Sequence, residues 1–120
     1  MIFVDLDGFK HVNDTHGHAA GDAVLVAAAL RLAHLTEPPN TAYRLGGDEF
    51  VVLAPTMTDA AGLPELASQV VAALSGSYET DTTPVSLAAS VGYASGATDD
   101  VEALLRAADA EMYRHKARGR

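Results

Sequence analysis

Tyr43-Arg44-Leu45-Gly46-Gly47-Asp48-Glu49-Phe50-Val51-Val52-Leu53 holds two short β-favouring runs on either side of a glycine pair and two acids. Glycine supplies the positive φ angles that a tight turn needs. The stretch therefore predicts a hairpin, Tyr43–Leu45 against Phe50–Leu53, with Gly46 to Glu49 at its tip. A hairpin forces antiparallel pairing, and that constraint decides between the fold classes open to the rest of the chain.

Working upstream, Pro38-Pro39 halts whatever precedes the hairpin, because the residue before a proline is pushed toward extended geometry. Before it, Leu25, Ala28, Ala29 and Leu32 recur at i, i+3, i+4 and i+7, which predicts a helix from Ala23 onward. Asp5 to Asp22 is rich in Asp, Gly, His and Asn and reads as turn chemistry, with a short helical turn at Phe9 to Val12. Ile2 to Val4 reads as a buried strand ending at Asp5. Downstream, Pro64 suits a helix first turn, followed by Leu66, Val70, Ala73 and Leu74 on one face. Val85, Leu87, Ala89, Val91 and Tyr93 alternate as a strand does. Asp99 with Glu102 forms a capping-box pattern ahead of a last helix lined by Val101, Leu104, Leu105, Ala108 and Met112. Met112 and Tyr113 are expected as core and helix-packing residues. Strand, helices, hairpin, helix, strand, helix predicts an α+β fold. Its central sheet is mixed but largely antiparallel and flanked by helices, not doubly wound and parallel.

Composition narrows the function. The 120 residues are 48% hydrophobic and suit one compact domain. The formal net charge is -8, from 8 basic and 16 acidic residues, which argues against a DNA or RNA duplex as partner. It does not argue against a small nucleotide whose charge is neutralised by divalent cations. There is no cysteine, so disulfides, thiolate zinc sites and cysteine nucleophiles are excluded. No apolar run is long enough to span a bilayer, and the N-terminus lacks signal-peptide features. A soluble protein of a reducing compartment, the cytoplasm, is expected.

Two acidic clusters carry the chemistry. Asp5-Leu6-Asp7 lies at the end of the first strand and Asp48-Glu49 in the hairpin tip. If those strands are neighbours, the carboxylates converge, and hard oxygen ligands suit Mg²⁺ or Mn²⁺ bridging substrate phosphates. Gly46 and Gly47 carry no side chain, so a flat base or a phosphate can approach the backbone. Lys116 and Arg120 are four apart and share a helix face. His11, His16 and His18 lack cysteine companions and helical spacing, so zinc is not expected there.

Arg44-Leu45-Gly46-Gly47-Asp48-Glu49-Phe50 contains the literal signature of the GGDEF family, and the chain resembles that family at further ordered motifs. Phe3-Val4-Asp5-Leu6-Asp7-Gly8-Phe9-Lys10 is similar to its first strand and phosphate loop. Asn13-Asp14 and His16-Gly17-His18 through Gly21-Asp22 resemble its next motif, and Ser90-Val91-Gly92 its last core strand. Ala108-Asp109-Ala110-Glu111-Met112-Tyr113, with Lys116 and Gly119-Arg120, resembles its C-terminal helix.

The resemblance implies a diguanylate cyclase, condensing two GTP into cyclic di-GMP with loss of two pyrophosphates, on a fold similar to the palm of nucleotidyl cyclases. It implies that Asp5, Asp48 and the Leu6 carbonyl hold two Mg²⁺ or Mn²⁺ ions per active site. Asn13 and Asp22 would bond the guanine edge, with His18 nearby. Backbone amides of Gly8 and Phe9, with Lys10, would cradle the phosphates, and Lys116 and Arg120 would reach the terminal one. Glu49 completes the signature beside Asp48 as a catalytic position. A transient homodimer is implied, because the product joins two nucleotides.

Two departures stand out. The family usually carries a segment before the first strand and a strand after the Gly-Arg pair; residues 1–120 are therefore expected as a single shortened GGDEF domain, with any sensory or regulatory domain elsewhere. The shortening opens an alternative, a non-catalytic GTP-binding or dimerisation module. The family's product-inhibition motif, Arg-x-x-Asp, is replaced by Glu37-Pro38-Pro39-Asn40. That acidic substitution predicts no inhibition by product there.

Overall fold

The structure, a computed structural model, describes residues 1–58, 60–95 and 101–118. Asp99, Gly119, Arg120 and the side chain of Val101 lie outside the described residues, so the expected capping box and the Arg120 contact do too.

Among the described residues, five strands and four helices follow in the order β1 (Ile2–Asp7), α1 (Phe9–His16), α2 (His18–Leu35), β2 (Thr41–Gly46), β3 (Glu49–Leu53), α3 (Leu63–Leu74), β4 (Gly76–Tyr78), β5 (Val85–Tyr93) and α4 (Val101–Arg118). The sheet order is β2-β3-β1-β5-β4. The hairpin fixes β2 against β3, and among the described residues every other neighbouring pair is antiparallel too, so the sheet carries no parallel pair where a mixed one was expected. β1 sits in the middle, which is why it is the most buried strand.

Several bounds differ from expectation. β1 runs on to Asp7, because its pairing with β5 continues through Asp7 opposite Ala88. The segment read as a helical turn is a full helix, α1, which hid because Val12 is its one buried residue and its other positions are polar or only half-buried. α2 begins at His18, straight after Gly17, and buries Ala20, Gly21, Val24, Ala28 and Leu32. Leu25 is half-buried and Ala29 exposed, so the inward row runs at i+4 steps from Val24. β4 has no counterpart in the sequence pattern. It has three residues, too few to show alternation.

Strand alternation divides β1 between two layers. Ile2, Val4 and Leu6 face the main core, where Phe50, Val52, Leu87 and Ala89 join α2 and α3. Phe3 faces the other way, into a smaller cluster with Val51, Ala108 and Met112 beneath α4. Asp5 and Asp7 continue the Phe3 face. On α4, Ala108, Met112 and Lys116 fall at i, i+4 and i+8. One face thus goes from apolar to acidic as the helix above it goes from apolar to cationic.

Gly92 fixes the height of α4. It lies opposite Phe3 on β5, and a Cβ there would overlap the Ala108 carbonyl oxygen and the Met112 backbone. A second clamp ties α2 to the far edge. Arg31 donates to the carbonyls of Ala73 at 3.3 Å and Ser77 at 2.7 Å, and its guanidinium lies 3.9 Å from the centre of the Tyr78 ring. Tyr113, expected in the packing, is instead 73% exposed, because the residue after a buried Met112 turns out of the helix interface.

Candidate active site

Three elements end at the same place: the C-terminal end of β1, the tip of the β2–β3 hairpin, and the last turns of α4. Pairing sets the layout. Asp5 lies between Glu49 on β3 and Ser90 on β5. The hairpin tip is tied to β1 by the Leu6 amide, which donates to the Asp48 carbonyl at 3.2 Å. Gly47 takes a φ of +52° in that tip, which an ordinary residue rarely adopts. Arg44 braces the turn by donating from Nε to the Gly47 carbonyl at 3.0 Å.

Asp48 and Asp5 come together. Burial, followed by the charge of Asp5 and a side-chain hydrogen bond to it, pushes the Asp48 carboxyl up from 3.8 to about 6; Glu49 adds a smaller push. Two carboxylates this close repel when both are ionised, and a divalent cation relieves that repulsion. Among the described residues no group of three or more His, Asp or Glu side chains is gathered around one point. The acidic pair nonetheless fits Mg²⁺, which commonly takes one or two protein carboxylates and completes its shell with phosphates and water.

Lys116 lies on the other side of Asp5. Its ammonium pairs with Asp5 Oδ2, and with Asp7 Oδ1 at 2.8 Å. Burial lowers the Lys116 pKa, but hydrogen bonds to Asp5 and Asp7 outweigh it, and the net shift is upward. Ser90 donates its hydroxyl to Asp7 Oδ2. Ser90, Asp7, Lys116 and Asp5 therefore form one connected row across β5, β1 and α4.

The remaining candidates sit around α1. Gly8, with φ +87°, turns the chain from β1 into α1, whose first turn holds Phe9 and Lys10. Lys10 is exposed and Phe9 half-buried against the core. Asn13, on α1, packs against Gly21 of α2, the residue before Asp22. The Asn13 side chain lies across Gly21, where a Cβ would overlap its Oδ1. Asp22, the next residue, is exposed, as is His18 at the start of α2. Gly46 and Gly47 leave the hairpin tip open, with nothing among the described residues within 4 Å of a Cβ at either.

Asp7 was legible as part of an acidic cluster, but its work was not, and Ser90 was missed as a site residue. The signal was period-two alternation. Asp5 and Asp7 share a face of β1, and Ser90 shares a face of β5 with Gly92.

A model of the diguanylate cyclase GGDEF domain matches residues 1–120. The chain belongs to that family. Its GGDEF domain is 49% identical over 123 residues to a 19.3 kDa Streptomyces ambofaciens protein from the repSA 5′ region, covering all of this chain and 64% of that one. It is 39% identical over 122 residues to the bifunctional diguanylate cyclase/cyclic di-GMP phosphodiesterase MucR of Pseudomonas aeruginosa, covering all of this chain and 18% of MucR. Among solved structures it resembles a sensory box/GGDEF family protein of Caulobacter crescentus. The TM-score there is 0.85 at 42% identity, over 97% of this chain and 76% of that one. The GGDEF domain thus spans less than two thirds of these curated relatives. No helix among the described residues is long and apolar enough to cross a membrane.

Proposed function

We propose that this GGDEF domain is a diguanylate cyclase that joins two GTP molecules into cyclic di-GMP in the cytoplasm, releasing two pyrophosphates. The observation that carries the reading is the meeting of Asp5 and Asp48 at the hairpin tip, with the Asp48 carboxyl pushed up to about 6 by burial and then by the charge of Asp5. Family membership and relatives named as diguanylate cyclases support it.

Asp5, Asp48 and the Leu6 carbonyl would hold two Mg²⁺ or Mn²⁺ ions, which when bound stabilise the attacking and leaving oxygens of an in-line displacement at phosphorus. Asn13 and Asp22 accept from the N1–H and N2–H donors that guanine has and adenine lacks, and His18 lies near the nucleotide. The amides of Gly8 and Phe9 at the start of α1, with Lys10, receive the phosphates. Lys116 and Arg120 reach the terminal phosphate. Gly46 and Gly47 let the nucleotide lie close to the hairpin backbone. Asp48, with Glu49 beside it, orients the 3′-hydroxyl that attacks the α-phosphate of a second GTP. That second GTP is supplied by a second copy of the domain.

The test is direct. The chain is incubated with GTP and Mg²⁺ or Mn²⁺, and products are separated by chromatography. Cyclic di-GMP and pyrophosphate are expected from the unmodified chain and neither from Asp48→Asn. GTP binding without product would overturn the cyclase reading in favour of a non-catalytic nucleotide-binding module.

A further inference from the structure

The Ser90–Asp7–Lys116–Asp5 row has more connections than a phosphate-binding lysine requires. Lys116 could have extended into solvent, where a triphosphate would find it. Instead its ammonium sits on Asp5, a carboxylate assigned above to the divalent cation, and on Asp7. All three side chains are largely shielded, with 21% exposure for Lys116, 19% for Asp5 and 24% for Asp7. An ion pair at that depth is screened less by solvent than one on the open surface. Asp7 is in turn held by Ser90, one strand away.

We propose that Lys116 is a resident counter-ion, which a divalent cation must displace from Asp5, and that Asp7, fixed by Ser90, retains the displaced ammonium beside the site. This rests on the metal assignment under Proposed function. Its consequence is a coupling between two ligands. A cation arriving alone removes Lys116 from Asp5 and leaves it Asp7 as its one remaining carboxylate partner among those it holds now. A cation arriving with a triphosphate gives the released ammonium a phosphate oxygen to bind. Each ligand therefore raises the affinity for the other by the same factor. Asp7 and Ser90 are positioning residues in this scheme, since they act through Lys116.

The test uses Mn²⁺ alone, bound to the full chain and quantified by electron paramagnetic resonance, then repeated with a non-hydrolysable GTP analogue. Lys116→Met is expected to tighten nucleotide-free Mn²⁺ binding by roughly three- to tenfold, the scale of removing one adjacent like charge. The enhancement of Mn²⁺ binding by the analogue should shrink in that variant. Arg106→Met removes a cation from the exposed face of the same helix, where Arg106 pairs with Glu102, and should change nucleotide-free Mn²⁺ binding less than twofold. Equal Mn²⁺ affinity in Lys116→Met and the unmodified chain, with binding lost in Asp5→Asn, would overturn the counter-ion and leave the metal site standing. Mn²⁺ binding that Asp5→Asn does not weaken would overturn both.

A second measurement needs no Lys116 variant. The side-chain ammonium signal of Lys116, followed by NMR in the unmodified chain, should shift as Mg²⁺ is added without nucleotide. In Ser90→Ala it should be broadened before any cation is added. A signal unmoved at saturating Mg²⁺ overturns the displacement, and one unaffected by Ser90→Ala overturns the retaining role of Asp7.

Discussion

At the scale of single residues, Asp48 decides most. Its carboxyl titrates at about 6 in the folded chain against an ordinary 3.8, so between those values the folded state keeps a proton that the unfolded chain has lost. The contribution of Asp48 to the stability of the metal-free chain therefore falls as pH rises from about 4 to about 6, then levels off. Asp48→Asn should flatten that slope and match or exceed the parent at pH 7, while abolishing product formation. Urea unfolding across this range, with chelator present, checks it; parallel slopes in the two proteins would contradict the assignment. Asn13 and Asp22 belong to the same scale. Asp22→Ala should weaken GTP binding by roughly tenfold or more, the loss expected when a guanine donor is left unpaired. Gly21→Ala tests the corner differently, because its methyl group must push the Asn13 amide aside. Discrimination of GTP from ATP should drop in that variant, read by competition binding; unchanged discrimination would remove Asn13 from the guanine contact.

Among the elements, the hairpin was readable because its glycine pair and flanking β-branched and aromatic residues all point to one geometry. The last strand was readable for the same reason, since Val85, Leu87 and Ala89 alternate with exposed neighbours. α1 was not, because a short helix with a single buried side chain has no period to show. The site divided along the same line. The carboxylates Asp5 and Asp48 could be placed at strand ends from sequence. The Ser90–Asp7–Lys116 row could not, because its members belong to three elements whose packing no local pattern encodes. Arg31 was likewise invisible, although it joins α2 to the end of α3 and to β4. Arg31→Met keeps the aliphatic stem and loses two hydrogen bonds and the ring contact. It should cost about 1–3 kcal/mol in unfolding free energy, with GTP affinity unchanged. A variant as stable as the parent would show the clamp to be slack.

At the scale of the whole molecule, one copy supplies one set of site residues, while the proposed reaction consumes two nucleotides. Two copies facing each other across a two-fold axis give the simplest arrangement, each presenting its own GTP. A net charge of -8 on each copy opposes their approach, so the pair should be weak and favoured by bound nucleotide and cations. Turnover per subunit should rise with protein concentration. A rate that stays flat across a wide dilution series, with monomer alone in solution, would rule the arrangement out. Binding of cyclic di-GMP at the acidic Glu37 to Asn40 turn is not expected, and product titration should leave the NMR signals of those residues unmoved.

Gly92 gives the architecture an unusual adjustment point. α4 rests on bare backbone there, and Lys116, on the same face of that helix, inherits its elevation from that seat. A methyl group at position 92 would act as a shim, tilting the helix like a lever and lifting the ammonium at its far end. Reach across the carboxylates could thus be recalibrated from a residue that touches no ligand, at a cost of roughly 1–3 kcal/mol in overpacking. Drift at this glycine would detune the proposed site while every residue of the signature motif stayed intact.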